Sequence, residues 1–178
     1  MECDWEFEIA PDAPVIDGAW PRYVDLRQHP EHASHLPEAD ALPALAEALA
    51  RLNAANSTVW TSKCDVWVPE VFDPDELDAS PGQGTDALAC YIDLLPAGDK
   101  WPTIDAIAKW CRELCVALRV RQMRQCRADL VVRRAFLAAD HSGLGVTAYL
   151  SACGATSADA RESLATAMGL FADAVRDS

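Results

Sequence analysis

Segments of two different hydrophobic periods alternate along this chain, and their order limits the folds open to it. Three segments repeat apolar side chains every three to four residues, the period of a helix packed on one side. The first covers about residues 41–53, with Leu42, Leu45, Leu49 and Leu52 on one face. Asp40 is its expected N-cap, and Pro43 is tolerated in a first turn. The second covers about 104–118, with Ile107, Cys111, Leu114, Cys115 and Leu118 inward behind a Thr103 cap. The third covers about 158–176, with Leu164, Met168, Phe171 and Val175 inward and Ser157 as cap. Five further segments are rich in β-branched and aromatic residues and bounded by turn formers, as strands are. They are 22–26, 58–68, 87–95, 127–137 and 143–152.

The resulting order is β-α-β-β-α-β-β-α. It contains a short internal repeat: Tyr23, Val24, Asp25, Leu26 precede the first helix and Tyr91, Ile92, Asp93, Leu94 precede the second. Two βαβ units in tandem predict an α+β, ferredoxin-like βαββαβ sandwich with an added C-terminal βα unit. Right-handed crossovers then set the helices on one face of a five-stranded antiparallel sheet. Its expected strand order is 143–152, 127–137, 22–26, 87–95, 58–68. The reading makes residues 1–178 a single domain, with an irregular segment at 1–21 and a long acidic loop at 70–86.

Charge narrows the functional classes. Fifteen basic and 28 acidic side chains give a net charge of −13. Such a field repels nucleic-acid backbones and anionic membrane surfaces, and it favours a basic protein partner. The first residues lack the basic and apolar regions of an export signal, and no apolar run approaches a membrane span, so a cytoplasmic location is expected. Seven cysteines, an odd number, fit reduced thiols in that compartment. Cys64, Cys90, Cys111 and Cys115 are expected in the core and unreactive. Cys3 and Cys153, near a terminus and a strand end, are expected to react first.

Side chains alternate between the faces of a strand. Parity assigns Val24, Leu26, Cys64, Val66, Val68, Leu88, Cys90, Ile92, Leu94, Leu130, Val132, Phe136, Val146, Ala148 and Leu150 to the helix side. The opposite face receives Tyr23, Asp25, Val59, Lys63, Asp65, Trp67, Tyr91, Asp93, Arg127, Asp129, Arg133, Thr147, Tyr149 and Ser151. That set mixes aromatics with both signs of charge. Three fates are open to such a face: a solvated surface laced by cross-strand ion pairs, a homodimer interface anchored by Tyr and Trp, or a ligand platform. Ten of these residues are the first binding candidates: Tyr23, Asp25, Lys63, Asp65, Trp67, Tyr91, Asp93, Asp129, Arg133 and Tyr149.

Chemical motifs are sparse. His29, His32 and His35 form the one histidine cluster, and imidazoles with nearby carboxylates suit zinc or a similar ion. The spacing matches no standard metal motif, and an exposed loop is the commoner outcome. Cys111 and Cys115 share an apolar helix face and read as packing. Nucleophile elbow, phosphate loop and zinc-protease patterns are absent, so no catalytic residue and no cofactor is assigned. The stretch from Lys109 to Arg134 holds eight basic and two acidic residues. The expected topology brings its Arg119, Arg121 and Arg124 to one edge with the histidine segment and the 70–86 loop. The functional expectation is a non-enzymatic binding or protein-interaction module. The alternative is an enzyme or sensor with a small-molecule or metal site at the edge formed by 27–40, 70–86 and 119–126.

Overall fold

The longest strand pairing among the described residues joins two segments adjacent in sequence. In the computed structural model, which describes residues 1–18, 23–98, 100–137 and 141–178, β5 (Cys126–Leu137) and β6 (His141–Gly154) run antiparallel from Cys126 opposite Ala152 to Leu137 opposite His141. β6 then pairs antiparallel with β4 (Asp86–Pro96), and β4 with β3 (Val59–Trp67). The outer edge beside β5 is filled from the start of the chain. There β1 (Glu2–Phe7) and the two-residue β2 (Val15–Ile16) both run parallel to β5. The six-stranded sheet therefore has the order β1-β5-β6-β4-β3, with β2 on the β1 side.

This mixed α+β sheet departs from the expected one. It has six strands and is partly parallel. β6 occupies the central place expected for 22–26. Residues 23–25 have no regular structure, and Arg22 lies outside the described residues. The N-terminal segment, expected to be irregular, supplies an edge strand. A long hairpin needs no crossover, so β5 and β6 pair at once along their whole length. The short 23–26 run has too few backbone groups to compete for the slot beside β4.

A 3-10 turn (η1, Pro30–His35), a short helix α1 (Pro37–Ala41), α2 (Pro43–Leu52), α3 (Ile104–Val120) and α4 (Ser157–Arg176) complete the described elements. Pro43 stands at the start of α2 as expected. Leu42 precedes it without a side-chain cap, and Asp40 belongs to α1. Thr103 caps α3 by accepting a hydrogen bond from the Ala106 N–H at 3.1 Å. The cap of α4 is Thr156, one residue before the expected Ser157, in a capping box with Asp159.

The core lies between one face of the sheet and α2, α3 and α4. Ile92, Leu94, Leu130, Val132, Val146, Ala148 and Leu150 are fully buried there against Leu45, Leu49, Ile107, Leu114, Leu164, Met168 and Phe171. Val68 and Phe136, assigned to this side by parity, are exposed, because both lie at strand ends beyond the helices. Val59 errs the other way and is buried in the core. A bulge between Thr61 and Cys64 reverses the parity of β3, so Val59 and Thr61 share the side of Cys64 and Val66. No helix among the described residues is long and apolar enough to cross a membrane.

Candidate functional site

The face turned away from the helices carries the cross-strand rows that parity anticipates. One row runs Trp67, Ala89, Ser151, Arg127 across β3, β4, β6 and β5; the next runs Asp65, Tyr91, Tyr149, Asp129. The rings of Trp67 and Tyr91 lie 6.3 Å apart and those of Tyr91 and Tyr149 6.2 Å, all tilted, so the aromatics form a continuous diagonal. The Arg133 guanidinium sits 5.7 Å from the Tyr149 ring. Burial by these neighbours pushes the Tyr91 hydroxyl up to about 12, with Asp93 and Asp65 adding to the effect.

The third row buries a carboxylate. Asp93 is opposite Thr147, whose hydroxyl donates to it at 2.7 Å. Its side chain is only 4% exposed, and Lys63 Nζ on the bulge lies 3.6 Å away. Burial raises the Asp93 pKa above the ordinary carboxylate range, against the opposing pull of Thr147, Lys63 and Arg133. A carboxylate on a wet sheet face would keep an ordinary value; its burial sets Asp93 apart from the exposed Asp65 on the same face.

Two segments cover the ends of this face. At the end where β4 finishes, the N-terminal strap around β2 crosses over. The Pro14 carbonyl accepts from Lys63 Nζ and the Ile16 carbonyl from the Ser62 hydroxyl. Val15 packs there with Leu95, Ala135 and Trp60. Gly145 makes room for it: a Cβ at that position would meet Val15 Cγ1 at 2.9 Å and the Leu94 carbonyl at 3.0 Å. At the opposite end, residues 69–77 fold over β3 and β4. They leave a cleft of about 300 Å³ whose lining includes Trp67, Phe72, Asp73, Glu76, Leu77, Arg127 and Asp129. Arg127, the one cation in that lining, is already held. Its guanidinium donates to both Asp129 oxygens at 2.9 Å and to Asp4 at 3.0 Å.

Of the ten open-face candidates, Lys63, Asp65, Trp67, Tyr91, Asp93, Asp129, Arg133 and Tyr149 are brought together. Tyr23 and Asp25 are not strand residues. Their segment lies beside the outer edge of β3. There Tyr23 lines a cavity of about 320 Å³ with Lys63, Tyr91, Cys64 and Glu38. Asp25 clasps Arg27 at 2.6–3.1 Å, which holds its carboxyl below the usual range. Arg27 in turn lies 4.4 Å above the Trp60 ring.

The expected loop edge is formed in part. Arg124 grips Asp78 at 2.8 and 3.0 Å, which joins the 70–86 loop to the turn after α3. Arg119 pairs with Asp4 at 2.6 Å and Arg121 with Asp177 at 3.9 Å. The histidine segment packs instead against α2. His29, His32 and His35 stack as i, i+3 neighbours of a 3-10 turn, with ring centroids 4.9 and 5.3 Å apart. Potential ligand atoms of His29, Glu31 and His32 lie within 4.8 Å of one another; His35 is outside that group.

Sequence reasoning missed the contribution of the first eighteen residues. Asp4 and Glu8 hold Arg119, Arg127 and Arg133, and the strap closes one end of the face. A signal for this was present. Glu2, Cys3, Asp4, Trp5, Glu6 and Phe7 alternate polar and apolar without a break. Comparison with protein-family models, curated proteins and solved structures gives no match.

Proposed function

We propose that this protein is a non-enzymatic binding module that receives a cationic segment of a partner protein on its open sheet face. The observation that carries the reading is the cleft beside Trp67. It joins an aromatic ring to Asp73, Glu76 and Asp129, and its single arginine is neutralised within the chain. A lysine or arginine side chain entering there meets a ring face for cation–π contact and carboxylates for its charge. The aromatic diagonal through Tyr91 and Tyr149 offers apolar surface to the rest of the segment. The basic stretch of the sequence does not compete for this role. Arg119, Arg121, Arg124, Arg127 and Arg133 each face an acidic residue of the same chain, so the acidic excess remains for a partner.

The test is a fluorescence titration with lysine- and arginine-rich peptides against acidic peptides of equal length. The basic peptides bind, their affinity falls with salt, and Trp67→Ala or Glu76→Gln with Asp73→Asn weakens them about tenfold. Binding that survives Trp67→Ala unchanged reflects net charge alone and removes this reading.

A second reading attaches to the histidine turn, where His29, Glu31 and His32 supply three donors for a zinc-like ion. The His29 and His32 rings are 20° from parallel, so their in-plane lone pairs do not converge until one ring turns. This predicts modest affinity, with water completing the shell.

A further inference from the structure

Cys3 points from β1 toward the core, opposite Ala128 of β5, and Cys115 faces it from α3. Their sulfurs are 2.8 Å apart, and both residues are buried, at 0% and 3% exposure. The sequence assigned Cys115 to inert packing and Cys3 to an accessible terminus. The structure makes them a pair instead, across 112 residues of sequence. A disulfide bond is about 2.0 Å long, so closing one here needs less than an ångström of approach.

We propose that Cys3 and Cys115 form a redox-active dithiol that closes to an intramolecular disulfide when the protein meets a hydroperoxide. Either thiol can donate the hydrogen bond between the two sulfurs, and the one that gives up its proton first is the nucleophile. Cys115, which has the Arg119 guanidinium one helical turn on, takes that role in the proposed step. Its thiolate attacks one peroxide oxygen, the O–O bond breaks, and the other oxygen leaves with a proton as water or an alcohol. Cys115 is then a sulfenic acid. The Cys3 sulfur, releasing its proton, attacks the Cys115 sulfur. The S–O bond breaks, and hydroxide leaves as water. Two thiols lose two electrons, and the hydroperoxide gains them.

Access comes from the position of β1. It is an outer strand paired on one side only, with β5, and edge elements open locally at modest cost. The disulfide would fix that strand to α3. Asp4, the neighbour of Cys3, holds Arg119 and Arg127, so the same bond fixes the charged border of the open face. A dithiol reductant would release it.

The experiment uses the full chain treated with hydrogen peroxide, blocked with a thiol alkylator, digested without reductant and read by mass spectrometry. The expected product is a linked peptide pair containing Cys3 and Cys115, lost on reduction. The oxidised protein should melt about 5 °C or more above the reduced one, since the bond closes a loop of more than a hundred residues. Cys3→Ser and Cys115→Ser each abolish the product and the shift, whereas Cys111→Ser leaves both. If Cys3 and Cys115 remain free to alkylate on denaturation after oxidation, the proposal is wrong. It is equally wrong if either stops at a sulfinic acid or links to another cysteine or another chain.

Discussion

Asn53 closes α2 onto β3 with three contacts of one buried side chain. Its amide nitrogen donates to the Leu49 carbonyl at 2.8 Å and to the Thr61 hydroxyl at 2.7 Å, and its oxygen accepts the Thr61 N–H at 3.0 Å. Asn53→Ala strands the Thr61 groups away from water, and chemical denaturation should show a loss of about 2 kcal/mol or more. Thr61→Val should cost less, since it keeps the backbone contact. A second residue-scale prediction concerns Tyr91. Its folded pKa is raised to about 12 from 10, so the folded state holds this proton more tightly than the unfolded one. That stability is fully present below pH 10 and is lost as pH rises from 10 to 12. Melting curves across this window should fall more steeply for the natural protein than for Tyr91→Phe; equal slopes would refute the assignment. Residue-level legibility stopped at local register. Parity placed Tyr91, Asp93, Asp129 and Tyr149 on their observed face, but could not see that a bulge between Thr61 and Cys64 turns Val59 inward. A bulge leaves no mark in composition.

The strap around β2 depends on a glycine that its own sequence segment does not contain. In Gly145→Ala the new methyl collides with Val15 and with the Leu94 carbonyl. It should destabilise the fold by about 1–3 kcal/mol and expose the amides of residues 15–18 to hydrogen exchange. Adding Val15→Ala should recover part of the loss; no recovery would show that the Leu94 contact governs instead. The histidine turn gives a second element-scale test. Calorimetry with zinc, nickel or cobalt should show binding that His29→Ala and His32→Ala abolish and His35→Ala leaves. A flat titration of the natural protein ends that reading. The three longer helices and four of the strands could be read from hydrophobic period, because each is long enough to repeat its pattern. The 22–26 segment carries the right residue types, but its length never fixed a partner. Conversely, β1 alternates cleanly, but the proline-rich residues after it disguise it as a tail. Its pairing partner lies more than a hundred residues away, beyond the reach of any local signal.

At the scale of the whole molecule, charge decides between self-association and a foreign partner. A two-fold dimer through the open face would need Lys63, Arg127 and Arg133 to reach across to acidic residues of the second copy. Within one chain Lys63 already faces Asp93, Arg127 holds Asp129 and Asp4, and Arg133 holds Glu8. With those cations engaged, two copies bring together surfaces of the same sign, at −13 each. Sedimentation should therefore show a monomer at both low and moderate salt. A dimer that dissociates in Trp67→Ala would overturn this and assign the face to self-pairing. The parallel pairing of β1 with β5 also has a consequence in time. Glu2 sits opposite Arg127, so a ribosome must add more than a hundred residues after β1 before that strand has anywhere to dock. For that interval the strand is an unpaired edge. Glu2, Asp4 and Glu6 put three like charges along one side of it, the pattern that discourages such an edge from pairing with another chain.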